Sequence, residues 1–199
     1  MPQLFFNPSE MKQDFAFLAN STKNKAKYDF FIANGHQVFQ NGLIVPVGCE
    51  LHRVDHDTYF ELGLISKSDK AVLYYCKVVR VEDESIGIDG VTQALVWRNR
   101  MKPRYKKATV EFVSEVFNHY LIENYTVLIS DVYHSYGGMF MWQEQLGYAI
   151  ERRDRRVMLY DQMNCVVTEI DRSTFDDFLD DLWSEDESKL HYRAVIKKL

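Results

Sequence analysis

The chain has 199 residues, with 24 Lys and Arg against 29 Asp and Glu and a formal charge of −5, so the molecule as a whole should not cling to nucleic acid. At that length one hydrophobic core is the default, and 46% hydrophobic with 14% aromatic residues excludes a disordered chain. No apolar run approaches the ~20 residues that span a bilayer, so no membrane partner is expected; Glu10, Lys12 and Asp14 also break up the start, unlike a secretory leader.

Behind Pro8, the residues Met11, Phe15 and Leu18 recur at helical spacing, which predicts a helix capped by Ser9. A second helix is predicted over 23–34, with Gly35 as its terminator. No Ser/Pro/Gly-rich linker and no repeat follows, so one domain over 1–199 is expected. His52, Asp55, His56 and Asp57 gather metal-ligand residue types in what reads as a loop entering a strand; a solvated turn explains them and no metal is assigned.

Segments 58–65, 71–81 and 91–98 are rich in β-branched and aromatic residues and are separated by the polar turns SKSDK and EDESIGIDG, which predicts a three-stranded antiparallel meander. Residues 108–120 then place Val110, Val113, Val116, Phe117 and Tyr120 on one helical face. Residues 125–130 (YTVLIS) form a short apolar run of the kind buried on both sides. Met139, Trp142 and Leu146 predict a helix ending at Gly147 in a left-handed cap. A hairpin around RRDRR, a strand over 165–170, a helix capped by Ser173 or Thr174 and carrying Phe175, Phe178, Leu179, Leu182 and Trp183, and a last strand over 191–197 complete the reading.

Cys49, Cys76 and Cys165 are odd in number and never spaced as CxxC, which argues against a disulfide framework and a structural zinc and implies reduced thiols in the cytoplasm. Positive charge concentrates over 98–107 and 152–156, negative charge over 171–187. No P-loop, HExxH or GxGxxG is present.

The order meander, helix, buried strand, helix, strand resembles the core of the GCN5-related N-acyltransferases (GNAT), over about 58–160. KPRYKKATVEF (102–112) falls where that family has Pro-x-Tyr-Arg-Gly-Lys-Gly-x-Gly at the start of its central helix; Pro103, Tyr105 and Lys106 match, and the glycines do not. QEQLGY (143–148) is similar to the family's Tyr-Glu-Lys-Leu-Gly-Phe through Glu144, Leu146 and Gly147. The resemblance implies a mixed, mostly antiparallel α/β (α+β) sheet flanked by helices, here with a C-terminal strand-helix-strand extension, and an acetyl-CoA or other acyl-CoA cofactor. Its pyrophosphate would rest on the first turn of the central helix, with Trp97, Arg98, Arg104, Lys106, Lys107, Ala108 and Thr109 as the cofactor-binding candidates. Thr109 and Glu111 stand at the glycine positions, and a carboxylate ~5 Å from a phosphate would repel it by about 3 kcal/mol at an effective dielectric of ~20. The tyrosine that in the family protonates the leaving thiolate aligns with Gln143, and the asparagine seven residues earlier with Tyr136.

The segment Asp131-Val-Tyr133-His134-Ser135-Tyr136-Gly137-Gly138 follows the buried strand, where α/β proteins place ligands. His134 is the candidate general base, with Asp131 or Tyr133 to orient it; a helix cap at Ser135 and a surface imidazole are the plainer reading. Three functions follow as expectations. One is an atypical acyltransferase acting on an amine-bearing acceptor, whether small molecule, protein or nucleic acid. Another is a nucleic-acid-modifying relative like the phage-encoded Mom type, using the basic segments. The third is a GNAT-shaped binding or structural protein without catalysis. Oligomeric state is left open.

Overall fold

The computed structural model describes residues 8–81, 86, 88, 90–129 and 136–199. Its elements begin with α1 (Pro8–Ala19), α2 (Ser21–Asn34), β1 (His36–Gln37), β2 (Cys49–Asp55), β3 (Tyr59–Ser66), β4 (Ala71–Arg80) and β5 (Val91–Arg98). A 3-10 turn (Pro103–Tyr105) leads into α3 (Lys106–Val116), which continues as a π turn (Phe117–Leu121) and the short α4 (Ile122–Asn124). Then come β6 (Thr126–Ile129), α5 (Tyr136–Ile150), β7 (Arg155–Asp161), β8 (Val166–Ile170), α6 (Phe175–Leu182) and β9 (Tyr192–Lys198). The fold is α/β, with helices flanking a mostly antiparallel sheet of strand order β1-β2-β3-β4-β5-β6-β9-β7-β8. Contacts divide the chain into two compact units: the described residues up to Arg80 with Ala94–Tyr120, and Val81–Gln93 with Leu121–Leu199.

In the first unit β2, β3 and β4 form the expected antiparallel ladder, but it starts a strand earlier than the sequence suggests. The segment around His52, read as loop, is strand β2, whose residues 49–55 pair with 60–66 of β3. Its polar residues hide the strand: His52 is buried beside Glu50, and Arg53 turns to Asp55, so alternation in hydrophobicity is weak although Leu51 and Val54 are core. Between β3 and β4 the register slips at Leu64/Ile65, so Leu73 is the extra residue of a bulge. The bulge presents Val72 and Tyr75 to α2 while Tyr74 meets Phe112 of α3 edge-on, ring centroids 5.4 Å apart. Asn24 of α2 closes it: its amide Nδ2 donates to the Val72 carbonyl (3.1 Å) and the Leu18 carbonyl (3.0 Å), and its Oδ1 accepts from the Val72 amide (2.9 Å).

Helix α2 is capped by Asn20, whose side chain accepts from the Lys23 amide, and stops at Gly35 as expected. Gly35 is extended (φ −93°) rather than left-handed; a Cβ there would stand 2.6 Å from the Phe31 carbonyl oxygen, so close packing, not a positive φ, calls for glycine. Leu18, Tyr28, Phe31, Val54, Ile65, Val72 and Tyr75 form one core cluster, with Phe30 and Trp97 against it. On α3 the buried face is Thr109, Phe112, Val113 and Val116, continued by Phe117 and Tyr120; Val110, expected inside, is 48% exposed. Phe112 claims the inward position because it meets Tyr74.

In the second unit β5 runs parallel to β6 through Val91↔Thr126 and Thr92↔Val127, and β6 is buried along its length as expected. The last strand, β9, inserts between β6 and β7, pairing antiparallel with both. Two local readings are corrected here. Helix α5 runs through Gly147 to Ile150, so Gly147 is no cap; Leu146 and Ala149, both fully buried, draw the helix onward. The hairpin joins β7 to β8 through a turn in which Cys165 takes φ +54°, whereas Arg152 and Asp154 form a bidentate pair (2.8 and 2.6 Å) in the connection before β7. Helix α6 has Thr174 at its N-cap position, as expected, although the Thr174 side chain makes no capping bond; Asp171 closes the turn just before it, its Oδ1 accepting from the Ser173 and Thr174 amides (2.7 and 3.1 Å).

Candidate functional site

The start of α3 is built by long-range contacts. Where β5 ends, Asn99 is buried and pinned by three hydrogen bonds: its amide donates to Leu73 O (2.8 Å), its Nδ2 to Val72 O (3.0 Å), and its Oδ1 accepts from the Met101 amide (3.0 Å). That anchor delivers Lys102 to Lys107 to one place. Tyr105 precedes the helix without capping it; its phenol donates to Asp69 Oδ2 (2.6 Å), accepts from Arg104 Nη2 (2.7 Å) and lies 3.0 Å from Ser66 Oγ. Asp69 also pairs with Arg104 and, at 3.7 Å, with Lys102. The Tyr105 hydrogen bond, with Arg104 and Lys102 adding to it, holds the Asp69 carboxyl below its usual range. Cys49, opposite Ser66 in the ladder, has its thiol pushed up by burial and then by Asp69.

Of the cofactor-binding candidates, Lys106, Lys107, Ala108 and Thr109 form the first turn of α3, and Arg104 lies in the 3-10 turn that leads into it. Thr109 is 2% exposed, and its hydroxyl donates back to the Tyr105 carbonyl (3.0 Å) and the Lys106 carbonyl (3.2 Å). Glu111, whose charge threatened an anion, is exposed and faces Lys107 at 3.7 Å. The amides of Tyr105 and Lys106 are already spent on Lys102 O and Pro103 O by the 3-10 turn. Trp97 is separated from this group: it packs on the α2 side with Phe31 and Tyr75, and strand alternation sends Arg98 to the other side, that of α3. The catalytic candidates Asp131, Tyr133 and His134 lie outside the described residues.

The charge balance of the segment is uneven. Asp69 neutralises Arg104 and Lys102, yet among the described residues Arg98, Arg100 and Lys106 meet no carboxylate. Burial, and then repulsion from Arg100, pulls the Arg98 guanidinium below its ordinary value. The second basic run is different, because Arg152 pairs with Asp154, Arg155 with Glu123 (4.0 Å) and Arg156 with Glu169 (3.5 Å). His52 faces Glu50 (3.0 Å) and His56 faces Glu61 (3.4 Å); no group of three metal-ligand residues forms among the described residues. Sequence reasoning missed Asp69 and Ser66, which govern this corner, because they stand more than thirty residues upstream in a polar turn that carries no local signal.

Compared with known proteins, the chain matches no family model, no curated protein and no solved structure at a significant level.

Proposed function

We propose that this chain is an atypical N-acyltransferase that takes its acyl group from a coenzyme A thioester, with the phosphates held at the start of α3. The supporting observation is the trio Arg98, Arg100 and Lys106, cations with no carboxylate partner among the described residues beside a helix N-terminus, where a dipole already favours anions. An anion there relieves the repulsion between Arg98 and Arg100, and the outward turn of Glu111 leaves it room. In the transfer the acceptor amine attacks the thioester carbonyl, the C–N bond forms, the C–S bond breaks and coenzyme A leaves as the thiolate, which takes a proton from water; the amine proton goes to a base, for which His134 is the candidate on sequence grounds.

Calorimetry with acetyl-CoA is the test. Saturable binding is expected, weakened at least tenfold by Lys106→Ala with Lys107→Ala, both exposed and free of core contacts. No heat with acetyl-CoA at millimolar concentration sinks the reading. A second reading, a GNAT-shaped binding protein without catalysis, draws support from the Tyr105 and Lys106 amides being taken by backbone carbonyls. It predicts no coenzyme A binding and a stable protein complex on size-exclusion chromatography. The nucleic-acid-modifying reading is less favoured, since the arginines of 152–156 other than Arg153 face carboxylates of the chain itself.

A further inference from the structure

On the α2 side of the first unit a cavity of about 320 Å³ opens between α1, α2 and the strands, lined by Phe17, Leu18, Ala26, Lys27, Phe30, Glu61 and Tyr75. Its walls are apolar, but its floor is an ion pair joining α2 to β3. Lys27 Nζ reaches both oxygens of Glu61 (2.7 and 2.8 Å), and Glu61 is 5% exposed. The Tyr75 phenol donates to Glu61 Oε1 (2.6 Å), and His56 Nε2 lies 3.4 Å from Oε2. The ammonium also sits over three rings, 4.5 Å from the centroid of Phe30 and 5.5 Å from those of Phe31 and Tyr75.

A fold gains little from such a pair, since well-packed apolar residues in its place are often as stable or more so. Buried polar groups converging on an apolar cavity are instead the mark of a small-molecule site, and this volume lies at the lower end of the ~300–1,000 Å³ such sites span. The chemistry of the occupant follows from counting. The four acceptor positions of the Glu61 carboxylate are filled by Lys27 twice, Tyr75 and His56. Lys27 has three N–H groups and spends two on Glu61, so one donor remains. The pair sums to zero charge, and a charged guest would leave a net charge in a poorly hydrated pocket. A cation would also meet the ammonium that already occupies the ring faces.

We infer that this cavity is a binding site for an uncharged, largely aromatic or aliphatic molecule that carries one hydrogen-bond acceptor, received by Lys27. At the ~30 Å³ that a water molecule occupies in the liquid, the volume corresponds to roughly ten non-hydrogen atoms. The site is separate from the cation group at the start of α3 and does not rest on the coenzyme A reading.

The test titrates isotope-labelled protein with acetophenone, phenylacetate and phenethylamine and follows the NMR signals of Ala26, Phe30 and Glu61. Acetophenone is expected to shift these signals saturably, with a dissociation constant on the order of a millimolar, and each charged analogue to bind at least tenfold more weakly. Ala26→Trp, at an exposed position on the rim, should keep the unfolding temperature and abolish the shifts of Phe30 and Glu61. In Lys27→Met with Glu61→Leu, ethylbenzene should bind as well as acetophenone. Lys106→Ala with Lys107→Ala should leave all of this unchanged, which separates the two sites. No shift at those three residues, a charged analogue binding as tightly as the ketone, unaltered binding in Ala26→Trp, or a ketone preference that survives loss of the pair would each overturn the proposal.

Discussion

Asn24 is a single polar side chain that joins the end of α1, helix α2 and the bulge of β4 through three buried hydrogen bonds. Truncating it strands the Val72 amide and the Leu18 carbonyl away from water. Each unsatisfied group costs about 1–3 kcal/mol, so Asn24→Ala is expected to lower stability by about 3 kcal/mol, read from the urea midpoint. A change below ~0.5 kcal/mol would mean that water enters and replaces the side chain. In the sequence, Asn24 is an ordinary polar residue in a helix-forming stretch. What makes it structural is the bulge some fifty residues later, and no local pattern records a bulge.

At the scale of elements, α2 approaches β3 closely at Gly63. Phe31 packs directly against Gly63, where an added Cβ would stand 2.5 Å from the ring. Gly63→Ala should therefore cost about 2–3 kcal/mol by overpacking, although Gly63 sits in a strand where alanine is otherwise acceptable. Phe31→Leu in the same chain should return part of that loss; a coupling above ~1 kcal/mol in the double-mutant cycle is expected, and simple additivity would show that the two do not press on each other. Helix α3 teaches a related lesson. Its periodicity announces a helix correctly, but Thr109, Val110 and Phe112 all lie near the edge of the apolar stripe. Which of them faces inward was decided by Tyr74 on β4, not by the helix. Gly147 similarly looks like a stop, yet Leu146 and Ala149 bury on the sheet side and carry α5 past it.

For the molecule as a whole, acid should be the weak flank. Burial drives the Glu61 carboxyl up, but Lys27, Tyr75 and His56 together outweigh it and leave Glu61 below its usual value. Asp69 is lowered by Tyr105 and Arg104, and Asp154 is held at about 2 by Arg152. A carboxyl whose folded pKa is depressed contributes stability in full above its unfolded pKa, ~3.9 for Asp and ~4.3 for Glu, and loses it as pH falls through the folded value. The unfolding temperature should hold from pH 7 to about 5 and then fall. Asp154, whose side chain is 41% exposed, contributes weakly because solvent screens it, so Glu61→Gln should flatten the slope more than Asp154→Asn. Equal slopes in both variants would place the acid sensitivity elsewhere.

Composition and periodicity by themselves determined that this chain is an α/β protein, and they located the meander, α3, the buried β6 and the amphipathic α6, because each of these buries one face at a regular spacing that neighbours in sequence display. They also marked the basic segment before α3 as a place of charge. Only the tertiary structure decided which of those charges is free. Asp69, in the turn between β3 and β4, takes Arg104 and Lys102, while among the described residues Arg98, Arg100 and Lys106 meet no carboxylate. It likewise made a strand of residues 49–55, put β9 between β6 and β7, and set Lys27 against Glu61 under three aromatic rings. Pairing across a sheet and the meeting of opposite charges depend on distance in space, and a one-dimensional pattern contains that distance only for residues a few positions apart.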